Sequence, residues 1–312
     1  MVDAIEITDM HRRFGRTEAL CGLNLHIPAG CVYGLMGRNG SGKSTALRIL
    51  MGLVRPDRGR ALVLGHDLSN ATAGQRAQVS YVAQGQRLPG WMTADQLDTY
   101  CACFSARWDQ SYLRELCRRW GIPRGLAVAT LSGGTQRKLA LALGLAARAQ
   151  VLLLDEPAAG LDPVARRELL DALVEVLSDG RSETVLLCTH LVSDLERLAE
   201  RVGVIDGGRL TLEGRLDDWQ TRISRVQIVY PDVAMPTTTL LPRVLRSQRE
   251  GLVQTAVVDG LDATILAALR AQPGLRVVQS AVSLEDIVIA VLGPSAVPEA
   301  AIPLTTPAFV ET

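Results

Sequence analysis

Lysine is nearly missing from this sequence. Of 312 residues only Lys43 and Lys138 are lysines, and arginine carries every other fixed positive side chain. Charge of either sign is not in surplus, because 33 basic residues balance 33 acidic ones. A nucleic-acid binder is normally marked by a basic excess, so no nucleic-acid partner is expected. Long hydrophobic runs are also missing. The longest, Leu139 to Ala147 and Ile287 to Leu292, fall well short of the ~20 residues that span a bilayer. The chain is therefore expected not to cross a membrane itself. Its start, Met1-Val2-Asp3-Ala4, has neither a basic flank nor an apolar stretch, so no secretion signal is expected. The six cysteines form no CxxC pair, and four of them sit inside apolar segments. They read as reduced core residues rather than a disulfide frame or a metal site.

What is present is a globular composition, 47% apolar, at a length that suits one large domain plus a small one. Residues 4 to 30 read as short strands with turns at Gly15, Asn24 and Pro28-Ala29-Gly30. Three nearly continuous apolar runs follow: Cys31 to Met36, Val151 to Leu154 and Val185 to Cys188. Strands of that kind are buried on both faces, as in a parallel sheet covered by helices. Residues 92 to 147 are helical in pattern, apart from a strand-like run around Leu126 to Leu131, and read as an inserted helical subdomain starting near residue 86. Asp162-Pro163 is a cap followed by proline at the first helical position. Asp206-Gly207-Gly208 signals a hairpin. Beyond it the character changes to strands at 225 to 230, 252 to 258 and 275 to 278, with helices near 261 to 271 and 283 to 291. The spacing predicts a first domain over 1–218, a small α+β accessory domain over 219–292, and a flexible proline-rich tail over 293–312.

Gly37-Arg38-Asn39-Gly40-Ser41-Gly42-Lys43-Ser44-Thr45 fits GxxxxGK[ST] between a buried strand and a helix. The glycines allow successive N–H groups to turn toward one point, a nest for phosphate oxygens. A helix N-terminus adds partial positive charge there. Lys43 supplies a slim ammonium for the β- and γ-phosphates of ATP, and Ser44 is a candidate Mg²⁺ ligand. Val151-Leu152-Leu153-Leu154-Asp155-Glu156 sets two carboxylates at the carboxyl end of a buried strand, where ligand sites of α/β sheets lie. Asp155 would hold Mg²⁺, directly or through water, and Glu156 would act as general base on the attacking water.

Those two motifs describe many ATPases and GTPases. Leu131-Ser132-Gly133-Gly134-Thr135, opening a helix that runs from Gln136 to Ala147, is a second anion site with no lysine of its own. It resembles the signature motif of the ABC (ATP-binding cassette) ATPases. That resemblance implies a P-loop NTPase fold: a RecA-like parallel core, an N-terminal antiparallel β subdomain and an inserted helical subdomain. It also implies that Ser132, Gly133 and Gly134 contact the γ-phosphate held by a second nucleotide-binding subunit, so that two chains dimerise head to tail around ATP. By the same resemblance Gln84 is the Q-loop residue that senses Mg²⁺, and His190 is the switch histidine on the γ-phosphate. Ala159-Gly160-Leu161-Asp162 is the D-loop at the dimer seam, and Phe14 is the aromatic that stacks on adenine. Each of these is weak alone; a glutamine after a strand is usually surface, and a lone histidine is usually structural. Their order and spacing carry the assignment. Two departures stand out: Thr135 replaces the more usual glutamine, and Ala158 stands where a hydroxyl residue is common.

The resemblance is closest to bacterial ABC-2-type exporters, through Phe104 to Asp109, Asp162 to Arg167 and Val282 to Ile287. It implies separate transmembrane permease subunits and a peripheral position on the cytoplasmic face of the inner membrane. The alternative is a soluble ABC ATPase of regulatory, translation or repair type. Tandem translation factors carry two phosphate loops, and repair ATPases insert heptad arms or zinc modules; this sequence carries one loop and neither insertion.

Overall fold

The computed structural model describes residues 2–178, 183–238 and 240–293. It divides into two compact units, Met1–Trp219 and Gln220–Thr312.

The first unit opens with two strands far longer than the short ones expected. Strands β1 (Asp3–Phe14) and β2 (Thr17–Pro28) pair antiparallel as one long hairpin. Ala4, Ile5, Ile7, Met10, Leu20, Leu23, Leu25 and Ile27 are buried along it, the alternation a one-sided sheet requires. The polar residues that interrupt the pattern coincide with register shifts, one of them beside Asp9, which sits at φ 44°. Strand β3 (Val32–Met36) leads into helix α1 (Lys43–Leu50) through the glycine-rich loop, and β4 (Arg58–Val63) returns to pair with β1.

A short helix α2 (Ala73–Arg76) precedes β5 (Val79–Val82), and helices α3 (Ala94–Ala102), α4 (Gln110–Arg119) and α5 (Gly133–Ala146) follow. Thr72 and Thr93 each close a capping box, with Gln75 and Gln96 as the reciprocal partners. The strand-like stretch before α5 is a 3₁₀ turn, Val128–Thr130. Only Ala127 makes a β-bridge there, to Thr93, so the stretch contributes no strand.

The chain then returns through β6 (Val151–Asp155), α6 (Pro163–Ser178), β7 (Thr184–Thr189), α7 (Val192–Leu198), β8 (Arg201–Asp206) and β9 (Arg209–Arg215). Gly207 and Gly208, both at positive φ, close the β8–β9 hairpin as a two-residue turn of this hand demands. The central sheet has the order β5-β6-β7-β3-β8-β9. It is parallel from β5 to β8, with β9 antiparallel at one edge. Every residue of β6 and β7 is buried, which explains their unbroken apolar runs. Register pairs Met36 with Thr189, Asp155 with Cys188 and Val82 with Leu154. The carboxyl ends of four strands therefore finish level, on one edge of the sheet.

Helix α8 (Leu216–Arg222) leads into the second unit: β10 (Ile223–Val229), β11 (Arg243–Glu250), β12 (Val253–Asp259), α9 (Ala263–Arg270), β13 (Arg276–Ala281) and α10 (Leu284–Leu292). Its four-stranded antiparallel sheet has the order β11-β12-β10-β13, over a core that includes Val226, Ile228, Tyr230, Ala256, Val258 and Leu269. Strand β11 was not expected from the sequence. Ser283 caps α10 by accepting from Asp286 N–H. The tail expected from 293 lies, beyond Gly293, outside the described residues. Among those described, no helix is long and apolar enough to cross a membrane, and all six cysteines are free.

Candidate nucleotide site

The level strand ends build the site. The loop after β3 wraps the N-terminus of α1 and borders a cavity of about 220 Å³ lined by Ala19, Asn39, Gly40, Ser41, Gly42, Lys43, Ser44, Thr45, Gln84 and Glu156. Gly42 sits at φ 109°, and a Cβ there would meet the Ala19 carbonyl oxygen at 2.4 Å. Gly37 is just as constrained, with the Ile205 carbonyl oxygen 2.3 Å from where a Cβ would stand. Only glycine fits either place without backbone movement. The Ser41 hydroxyl is buried with no hydrogen-bond partner among the described residues.

Lys43 is 5% exposed. Its Nζ donates to the Gly37 carbonyl at 2.7 Å and the Arg38 carbonyl at 3.2 Å, and lies 3.8 Å from Glu156 Oε1. Ser44 Oγ donates to Asp155 Oδ1 at 3.0 Å. The other carboxylate oxygen, Oδ2, accepts from the Tyr81 hydroxyl at 3.2 Å. Burial first, and the neighbouring Asp155 second, push the Tyr81 phenol up to about 12, so it remains a donor at neutral pH. Both acidic side chains are buried, Asp155 at 1% and Glu156 at 4% exposure, and the Lys43 ammonium lies nearest Glu156.

Glu156 adopts φ 49°, a left-handed conformation that costs a non-glycine residue ~1–3 kcal/mol. Its N–H donates to the Cys188 carbonyl at 2.9 Å, and its own carbonyl accepts from Ala159 N–H at 3.1 Å. This turn ends β6 beside the phosphate loop. His190, just past β7, brings Nδ1 to 2.9 Å from both Glu156 oxygens. The loop carrying His190 is fastened from both sides. Thr189 Oγ1 donates to Asp194 Oδ2 at 3.2 Å and accepts from Leu191 N–H at 3.1 Å.

The structure thus brings together Lys43, Ser44, Gln84, Asp155, Glu156 and His190 with the glycine-rich loop. It does not bring Phe14, Ser132, Gly133, Gly134 or Asp162 into the lining of this cavity. Phe14 lies on the surface with the Arg12 guanidinium 4.6 Å from its ring centroid. Ser132 caps α5, accepting from Thr135 N–H at 3.1 Å. Asp162 caps α6, accepting from Val164 and Ala165 N–H at 3.0 Å each. Sequence reasoning missed Tyr81, Arg166 and Asp194. Tyr81 lies inside Ser80-Tyr81-Val82-Ala83, which points to Gln84 but carries no signal for its own hydroxyl.

Comparison with known proteins identifies the family. The family model described as ABC transporter matches residues 20–159. The daunorubicin/doxorubicin resistance ATP-binding protein of Streptomyces peucetius is 37% identical over 68% of this chain and 65% of that protein. The Nod factor export ATP-binding protein I of Burkholderia thailandensis is 32% identical over 94% of this chain and 98% of its own length. Among solved structures, an ATP-binding subunit of an ABC transporter aligns at a TM-score of 0.62 and 26% identity, over 70% of this chain and 92% of that one. A dimeric cassette bound to ADP and Pi shares the fold at a TM-score of 0.59 and 23% identity. The relatives named for export favour a transporter ATPase over the soluble alternative. A likeness that runs nearly end to end along the second relative, over a site built from a phosphate loop and paired strand-end carboxylates, means that this chain belongs to the ATP-binding, ATP-hydrolysing subunits of ABC transporters.

Proposed function

We propose that this chain is the motor of an exporter, working as a homodimer that closes around two ATP molecules and hydrolyses them. The Glu156 carboxylate carries the reading, with His190 Nδ1 2.9 Å from both its oxygens and Lys43 Nζ 3.8 Å from Oε1. A carboxylate held by a histidine and set beside the lysine of a phosphate loop is poised to take a proton from a water attacking the γ-phosphate. Lys43 and the N–H groups of the loop hold the phosphate chain, and the Ser41 hydroxyl, without a partner among the described residues, gives that cradle one more donor.

Ser44 and Asp155 offer a hydroxyl and a carboxylate, both hard oxygen donors, already 3.0 Å apart. Among the described residues no group of three or more His, Cys, Asp or Glu could hold a metal alone. That fits Mg²⁺, which takes few protein ligands and fills its octahedron with water and phosphate oxygens. When bound it would neutralise phosphate charge. Gln84, which lines the same cavity, is the proposed sensor of it.

The second phosphate site supports the dimer. Ser132 is exposed at the N-terminus of a fourteen-residue helix and lines no part of its own chain's nucleotide cavity. A nucleotide on a second copy is the proposed occupant, with Asp162 at the seam. Separate transmembrane permeases complete the machine, which places this chain peripherally on the cytoplasmic face of the inner membrane. The domain reading is likewise proposed: a nucleotide-binding domain over 1–218, with its helical subdomain at about 86–147, and an accessory domain over 219–292.

The test is Glu156→Gln. The variant should bind ATP, accumulate as a dimer in gel filtration, and lose steady-state hydrolysis by ~10²-fold or more. Undiminished hydrolysis would remove Glu156 from the role of base.

A further inference from the structure

Thr135 occupies the signature position where related motifs more usually carry glutamine, and the structure gives it a specific task. Its N–H donates to Ser132 Oγ at 3.1 Å, as an ordinary helix cap does. Its hydroxyl oxygen also lies 2.8 Å from the same Ser132 Oγ. The neighbouring Gln136 does not substitute for the usual glutamine, because its side-chain amide donates backward to the Leu131 carbonyl at 3.0 Å.

A serine hydroxyl has one proton and two acceptor lone pairs. When the Thr135 hydroxyl donates, both lone pairs of Ser132 are filled, and the only hydrogen bond left to Ser132 is outward donation. In the reverse arrangement Ser132 donates to Thr135 and turns a lone pair outward. An anion at this helix N-terminus favours the first arrangement and is repelled by the second. Donation from Thr135 also polarises the Ser132 O–H, strengthening the bond it makes in turn.

We infer that Thr135 is a positioning residue that makes Ser132 a one-way hydrogen-bond donor to the terminal phosphate of ATP held by the partner subunit. This rests on the dimer reading above. The hydroxyl pair is separable from the cap itself, since the Thr135 N–H bond to Ser132 survives loss of the Thr135 hydroxyl.

The experiment measures, in full-length Glu156→Gln protein, the ATP concentration that gives half-maximal dimer by light scattering. Thr135→Val keeps shape and β-branching but removes the hydroxyl; Thr135→Ser keeps the hydroxyl. The Val variant should need about three- to tenfold more ATP, the range expected for weakening a hydrogen bond to a charged group. The Ser variant should match its parent, and thermal unfolding of both should be unchanged. Equal weakening in Ser and Val, or none in Val while Ser132→Ala dimerises poorly, overturns the role of Thr135 and leaves the dimer reading standing. If Ser132→Ala dimerises like its parent, Ser132 does not meet the partner's phosphate, and the underlying reading fails first.

Discussion

Arg166 and Asp194 hold the His190 loop against helix α6. Arg166, one turn into that helix, donates to Asp194 Oδ1 through Nε at 3.0 Å and through Nη2, and Nη2 also reaches Ser193 Oγ at 2.8 Å. Asp194 is 2% exposed and accepts from Thr189 as well. The residues on either side of His190 are thus tied to the helix that Asp162 caps.

The two partners should not be equivalent when removed. Arg166→Met leaves a buried carboxylate with the Thr189 hydroxyl as its one remaining side-chain donor among the described residues. Breaking a buried pair from this side costs ~3 kcal/mol. Asp194→Asn leaves a neutral amide that still accepts from Thr189 and a guanidinium that can reach water, at ~1 kcal/mol. Chemical denaturation should rank Arg166→Met below Asp194→Asn, and both should lower kcat. Equal stability of the two would mean that the pair is not the fastening of this loop.

Tyr81→Phe tests the other carboxylate. The change deletes one donor to Asp155 and leaves the Ser44 contact intact. Partners that orient a metal's ligands are typically worth about 10–100-fold in metal affinity. The Mg²⁺ concentration for half-maximal hydrolysis should rise by roughly tenfold, with ATP affinity little changed. An unaltered Mg²⁺ titration would make Tyr81 a packing residue only.

These three residues were hidden in the sequence for a common reason. Arg166 and Asp194 meet across 28 positions, and Tyr81 meets Asp155 across 74; no local spacing reports such pairs. The phosphate loop was legible because its function is local, a run of neighbouring N–H groups. Strands β3, β6 and β7 were legible because burial on both faces leaves continuous apolar runs. Strand β11 reads Arg-Val-Leu-Arg-Ser-Gln-Arg-Glu and lies at a sheet edge, half open to solvent. Edge strands tolerate charge, so its composition imitates a loop. Asn24 reads as a turn residue but lies inside β2, where its Oδ1 accepts from Asp9 N–H at 2.9 Å across the register shift of the hairpin.

The cysteines carry a pH dependence. Burial pushes the Cys31 and Cys117 thiols up to about 11, and drives Cys188 well above its ordinary value. Between pH 9 and 11 the unfolded chain gives up these protons while the folded chain keeps them. Fewer protons on the unfolded state means that stability falls as pH rises through that window. Thermal unfolding should therefore decline from pH 9 toward 11, and Cys117→Ala should flatten the slope. At neutral pH a maleimide should label exposed Cys103 first and leave Cys188 untouched. Rapid native labelling of Cys188 would contradict its burial.

Phe14 separates binding from folding. At 46% exposure it is no part of the core, so Phe14→Ala should leave thermal unfolding nearly unchanged. One side of its ring carries the Arg12 guanidinium, itself anchored to Asp57 at 2.7 Å. That support fixes the ring and leaves another part of it to solvent, an arrangement suited to stacking an adenine. Base–aromatic stacking is worth ~1–3 kcal/mol. ATP affinity of the monomer should accordingly drop by roughly tenfold in Phe14→Ala, while Phe14→Tyr retains it. Arg12→Ala should give a smaller loss, because the ring stays but its support goes. If ATP binds Phe14→Ala as tightly as the parent, the adenine is held elsewhere, and the exposed ring belongs to some other surface of the molecule.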